Sequence, residues 1–244
     1  MDATELAGIW TELRPEVAGY LRRLLVRPDQ VEDVSQTAYL KALEALDRAP
    51  AERAQTRAWL FRIATNTALD ELKRHSSWRE SALFDLRARA ESDPAFLRRS
   101  EQLVGTPETK AIAREHVAAC FACVLRSFPQ QKAAALLLRE VHGFAVGEIA
   151  EWLESSPVQV KNWLQETRRD MERRYAQTCA LVSKRGVCHQ CVELDGYFRA
   201  DAGAPLAPGG SLEARLAVIR QLREGNASPW HELLFGLLDD PALS

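Results

Sequence analysis

The chain has 244 residues, of which 46 % are hydrophobic and 27 % charged, with a formal net charge of −2. That length and apolar content support one large packed core or two small ones, and the near-neutral balance excludes a global positive field, so any nucleic-acid surface must be a local patch. No stretch approaches the roughly 20 apolar residues of a membrane span, and the start Met1-Asp-Ala-Thr-Glu-Leu6 does not read as a secretory signal. The expectation is a cytoplasmic protein with no membrane partner, in which the five cysteines stay reduced.

Leu, Ala, Arg and Glu recur at three- and four-residue spacing almost throughout, and alternating β-branched runs are nearly absent, so the chain reads as all-α. The spacing predicts helices over about 3–25, 30–47, 53–75, 108–127, 129–141, 146–153 and 157–177, with Pro28, Pro50, Pro129 and Pro157 between them. Composition divides the chain into a first helical domain (1–76), a flexible linker rich in Arg, Glu, Asp and Ser (77–108), a second helical domain (109–177) and a carboxy-terminal extension (178–244). Within the extension, a Gly/Pro-rich stretch at 203–210 precedes an amphipathic segment, Leu212–Arg223.

In the first domain, Val31-Glu-Asp-Val-Ser-Gln-Thr-Ala-Tyr-Leu-Lys41 places Asp33, Gln36, Thr37 and Lys41 on one helix face, while Val34, Ala38, Leu40 and Leu43 supply apolar contacts. The next helix, Arg57 to Arg74, offers Trp59, Ile63 and Leu72 as core and Asn66, Asp70, Lys73 and Arg74 as surface. Its local charge is basic, with Arg57, Arg62, Lys73, Arg74 and Arg79. Gln55 and Thr56 are expected in the loop before it.

In the second domain, Val146-Gly-Glu-Ile-Ala-Glu-Trp-Leu153, a turn, and Pro157-Val-Gln-Val-Lys-Asn-Trp-Leu-Gln-Glu-Thr-Arg-Arg169 have the order of a helix-turn-helix. Ser156 can cap the second helix and Pro157 suits its first position. Val160, Leu164, Thr167 and Met171 share a packing face. Gln159, Lys161, Asn162, Gln165, Arg168 and Arg169 are the candidate readers: Asn and Gln pair with adenine edges, Arg with guanine or phosphate.

All five cysteines bracket this motif. His116, Cys120 and Cys123 lie at i, i+4 and i+7, and Cys179, Cys188 and Cys191 follow it, with a second C-x2-C at Cys188-His-Gln-Cys191. Two such pairs can supply the four N or S ligands of one structural or sensory zinc, with His116, Cys179 or His189 as substitutes. Plain packing of Cys120 and Cys123, and a thiol redox switch, stand as alternatives. Neither an acid–base pair nor a phosphate loop accompanies the thiols, so the chain does not read as an enzyme.

Together, Phe128-Pro-Gln-Gln131, Glu148 to Leu153 and Val160 to Arg168 resemble the promoter-reading domain of extracytoplasmic-function (ECF) sigma factors of bacterial RNA polymerase. Val31–Lys41 and Arg57–Arg74 resemble that family's polymerase-docking and promoter-melting helices. The resemblance implies regions 2 and 4 for the two helical domains, with contacts to core polymerase through the first motif. It implies minus-ten contacts through the second, where Gln55 and Thr56 would line a base pocket, and minus-thirty-five contacts through the recognition helix. Core RNA polymerase, promoter DNA and an anti-sigma factor are the implied partners. Trp163 and Glu166 stand where the family usually places basic residues, which implies weaker nonspecific DNA binding. His-x3-Cys-x2-Cys also resembles the signature of zinc-containing anti-sigma factors. A stand-alone helix-turn-helix regulator with a metal- or redox-sensing cluster is the competing reading, and it has no use for a docking motif.

Overall fold

A computed structural model of the chain describes residues 1–25, 28–73, 124–178 and 212–222, together with 92, 94, 98, 118 and 120–122. The described residues are helical apart from short turns, as the periodicity predicts. They form α1 (Ala3–Leu25), α2 (Pro28–Glu44), a 3-10 turn (Leu46–Arg48), α3 (Arg53–Lys73), α4 (Gln130–Glu140), α5 (Val146–Trp152), α6 (Pro157–Thr178) and α7 (Leu212–Gln221).

Local chemistry explains where several of these begin. The Asp2 carboxylate accepts from the amides of Thr4 and Glu5 at 2.8 and 2.9 Å, and Glu5 accepts in return from the amide of Asp2 at 2.8 Å, so two groups of orphan donors at the start of α1 are satisfied reciprocally. At α6 the Ser156 hydroxyl accepts from the Gln159 amide at 3.1 Å and Pro157 opens the helix, as expected. Between α4 and α5 the chain reverses at Gly143, whose φ of 76° suits glycine, and the Phe144 amide returns to the Leu138 carbonyl at 3.1 Å.

α1, α2 and α3 pack on one another around Leu6, Tyr20, Leu21, Leu60, Phe61 and Leu72; α4, α5 and α6 pack around Leu136, Leu137, Ile149, Val160 and Met171. The two groups are not separate. α1 and α3 also pack against α4, and α3 against α5, so the described apolar residues form one continuous cluster. The linker proposed for 77–108 lies outside the described residues except for positions 92, 94 and 98. α7 buries Leu212, Leu216 and Ile219 against this body.

Candidate nucleic-acid and polymerase interface

The packing face of α6 is the one the sequence predicts: Val160, Thr167 and Met171 are fully buried and Leu164 nearly so. Burying that stripe turns the opposite stripe outward. Gln159, Lys161, Asn162, Gln165, Arg168 and Arg169 are all exposed, along the first three turns of the helix. α5 and α6 are joined by a tight turn in which Glu154 takes a φ of 50°, a left-handed conformation that favours glycine. A seven-residue helix, this turn and a 22-residue helix thus present one polar row to solvent.

That row is electrostatically structured. Arg168 reaches the buried Glu140 carboxylate at 2.5 Å, and Arg169 lies 3.8 Å from Asp170. Arg139, Lys161, Arg168 and Arg169, with Glu140 and Glu172, border an open cleft of about 480 Å³ between the end of α4 and α6. Glu166 does not stand alone as a repelling charge. Lys132 donates to it at 2.6 Å, and that hydrogen bond and charge lower the Glu166 carboxyl below its usual range. The ion pair, made across 34 residues, offsets the expected repulsion of phosphate.

On α2 the structure brings Asp33, Gln36, Thr37 and Lys41 onto one exposed face, while Val31, Val34, Ala38 and Ala42 are buried beneath. Leu40 departs from expectation. It is 51 % exposed and lies among the four polar residues, because position 40 is four residues from 36 and seven from 33 and so shares their side of the helix. An isobutyl group therefore sits at the centre of the polar face.

On α3, Asn66, Asp70 and Lys73 are exposed, and Lys73 pairs with Asp70 at 2.9 Å; Arg74 lies outside the described residues. Leu72 is core, but Trp59 and Ile63 are only half-buried. Gln55 and Thr56 belong to the first turn of α3 and not to a loop. Thr56 is buried and donates to the carbonyls of Pro50 or Glu52, at 3.1 and 3.0 Å, so its hydroxyl is committed to starting the helix; Gln55 is exposed and donates to Glu52 at 2.7 Å.

Of the six candidate metal ligands, only Cys120 is described, half-buried at the edge of the core; His116, Cys123, Cys179, Cys188 and Cys191 lie outside the described residues. Among the described residues no three His, Cys, Asp or Glu side chains are grouped to hold a metal ion, and no helix is long and apolar enough to cross a membrane.

One cluster has no precursor in the sequence reading. Glu16 of α1, Arg57 of α3 and His142 after α4 meet where the two helical groups join. Arg57 donates to Glu16 at 2.6 Å and to the His142 carbonyl at 3.2 Å, and His142 Nδ1 lies 3.1 Å from the same carboxylate. Tyr20 and Phe61 enclose the imidazole, with ring centroids 5.4 and 5.0 Å away, and Arg57 lies 4.4 Å over Phe144. Burial alone would raise the Glu16 carboxyl, but the hydrogen bonds from His142 and Arg57 and the Arg57 charge outweigh it and bring it down to about 2. Burial lowers His142, aided by the positive charges of Arg23 and Arg57 and opposed by Glu16. The imidazole is thus neutral, with Nδ1–H donating to Glu16, and its Nε2 has no hydrogen-bond partner among the described residues.

The first three helices match the sigma-70 region 2 family over residues 9–78. Over 172 residues the chain is 28 % identical to the ECF RNA polymerase sigma factor SigG of Mycobacterium tuberculosis, covering 65 % of this chain and 45 % of that relative. It thus spans less than half of that relative's length. It is 31 % identical over 137 residues to the RNA polymerase sigma-H factor of Pseudomonas aeruginosa, covering 55 % of this chain and 67 % of the relative. It is also 28 % identical over 157 residues to the ECF RNA polymerase sigma-E factor of Haemophilus influenzae, covering 64 % and 80 % respectively. With an all-helical fold, a region 2 match across α1 to α3 and these relatives, the chain belongs to the ECF class of bacterial RNA polymerase sigma factors.

Proposed function

We propose that this protein binds core RNA polymerase through the exposed face of α2 and directs promoter-specific transcription initiation, acting as a specificity subunit and not as an enzyme. The observation that carries the reading is the pairing, in one chain, of two polar faces that the core does not use. These are Asp33, Gln36, Thr37 and Lys41 around Leu40 on α2, and Gln159 through Arg169 on α6. On this reading α5 and α6 are a helix-turn-helix whose second helix enters the major groove at the minus-thirty-five element. Asn162 and Gln165 meet base edges, and Lys161, Arg168 and Arg169 meet phosphates or guanine. Asn66, Asp70 and Lys73 on α3, with Arg74 next in sequence, serve the minus-ten element. A repressor that acts alone would need the second face but not the first.

The docking face is tested by capture of core polymerase on the tagged full-length protein, for wild type and Leu40→Asp. Loss of one well-placed apolar anchor costs about 2 kcal/mol or more, which is over tenfold in affinity. The variant should retain its thermal midpoint, since Leu40 is not core. Capture equal to wild type would remove α2 from the interface.

The Cys/His cluster is proposed to hold one zinc between the segment around Cys120 and the extension, supported by the doubled C-x2-C spacing. Metal content of purified protein, with and without Cys188→Ser and Cys191→Ser together, tests this. Metal-free wild type purified without chelator would remove it.

A further inference from the structure

α7 makes contacts that a passive tail has no reason to make. It touches both halves of the molecule. Toward the second helical group, Arg220 donates through Nε to the Glu140 carbonyl at 2.5 Å and faces the Glu140 carboxylate at 3.3 Å, while Arg215 lies 4.1 Å over the Tyr175 ring of α6. Toward the first, Arg23 of α1 donates to the carbonyl of Leu222, at the end of α7. Leu216 and Ile219 are all but fully buried in the core cluster shared with both groups. The segment 212–222 therefore bridges the two groups. The same two groups are also joined by Arg62 of α3 pairing with Glu151 of α5 at 2.7 Å and by the Glu16–Arg57–His142 cluster.

The closed arrangement conflicts with promoter reading on size alone. A compact chain of this length has a radius of gyration near 18 Å and so spans about 45 Å. Elements centred about 25 base pairs apart, at ~3.4 Å per pair, are separated by about 85 Å. A molecule whose reading helices share one core cannot occupy both elements. It must open first.

We propose that residues 212–222 are an intramolecular brace that holds the two helical groups closed, making the carboxy-terminal extension a built-in restraint on promoter engagement. The proposal rests on the sigma-factor reading above, since only two separated DNA elements make closure inhibitory. Release of the brace frees α1 and α3 from α4 and α5. Glu140 connects the brace to the DNA-reading row, because the same carboxylate that faces Arg220 holds Arg168 at 2.5 Å.

The test uses the full chain. Arg220→Glu sets a negative charge against Glu140 at a partly exposed position, so the fold should persist; unchanged helix content by circular dichroism selects the preparation. Small-angle scattering should then show a larger radius of gyration than wild type. Run-off transcription at limiting protein should rise about fivefold, as expected where the open form is a minor population of roughly 10 %. An independent readout needs no variant: hydrogen exchange on the wild type should show 212–222 losing protection when core polymerase is added. A folded variant with unchanged radius and unchanged initiation, or a segment that stays protected in the polymerase complex, would overturn the brace. Failure of wild type to bind core polymerase would instead overturn the sigma-factor reading on which the brace depends.

Discussion

Glu16 and His142 meet at the join between the two helical groups, with Arg57 bound to both. The imidazole is buried and neutral, so protonating it in place sets a new positive charge beside Arg57 and Arg23, even though Glu16 would welcome it and the Tyr20 hydroxyl stays uncharged. Because the folded-state value lies below the ordinary 6.5, the unfolded chain takes up the proton first, and stability falls as pH drops below about 6.5. Glu16, held at about 2 against an ordinary 4.5, contributes stability that is present above pH 4.5 and lost only toward pH 2. Among the described residues, the dependence between pH 7.5 and 5.5 is that of His142. Urea midpoints should fall over that interval in wild type and flatten in His142→Gln; parallel curves for the two proteins would show that the imidazole is not held neutral. Arg57→Ala, which strips a buried carboxylate of its cation, should cost about 2–3 kcal/mol in the same measurement.

At the scale of elements, α5, its turn and α6 were the most legible part of the chain, because their signals are local. Ser156 and Pro157 are adjacent in sequence to the helix they start, and the 160, 164, 167, 171 stripe needs only the period of 3.6. Leu40 offers its apolar surface outward and not to the core, and its spacing from Asp33 and Gln36 places it on the polar side. Thr56 lies in the helix and not in a loop, and Glu166 is paired, because their partners, Pro50 and Lys132, are set by the fold. The Glu154 turn carries local strain that the sequence does not announce. Glu154→Gly should relieve it and raise stability by about 0.5–1 kcal/mol, read by denaturation; a loss of stability would mean that the turn is not strained. For the reading row, Lys161→Ala should reduce the salt slope of promoter binding by about 1, whereas Asn162→Ala should relax base preference at one position and leave that slope alone.

For the whole molecule, sequence signals place the helices at 3–25, 53–73, 130–140, 146–152 and 157–178, the helix expected over 108–127 lying largely outside the described residues, but they do not show that the two groups close on each other. That closure depends on Glu16 finding His142 across 126 residues and Arg220 finding Glu140 across 80, pairings that no periodicity encodes. The polar faces of α2 and α6 are both exposed while the two groups are packed together, so the proposed polymerase capture does not require prior opening. On the proposed reading, docking comes first, followed by release of 212–222 and separation of the two helical groups. The measurement that tests the central claim most directly is run-off transcription on genomic promoter fragments with purified core RNA polymerase, with and without this protein. The account predicts protein-dependent initiation at a defined start site, lost on Leu40→Asp. Sequence-specific DNA binding with no change in initiation and no association with polymerase would contradict it.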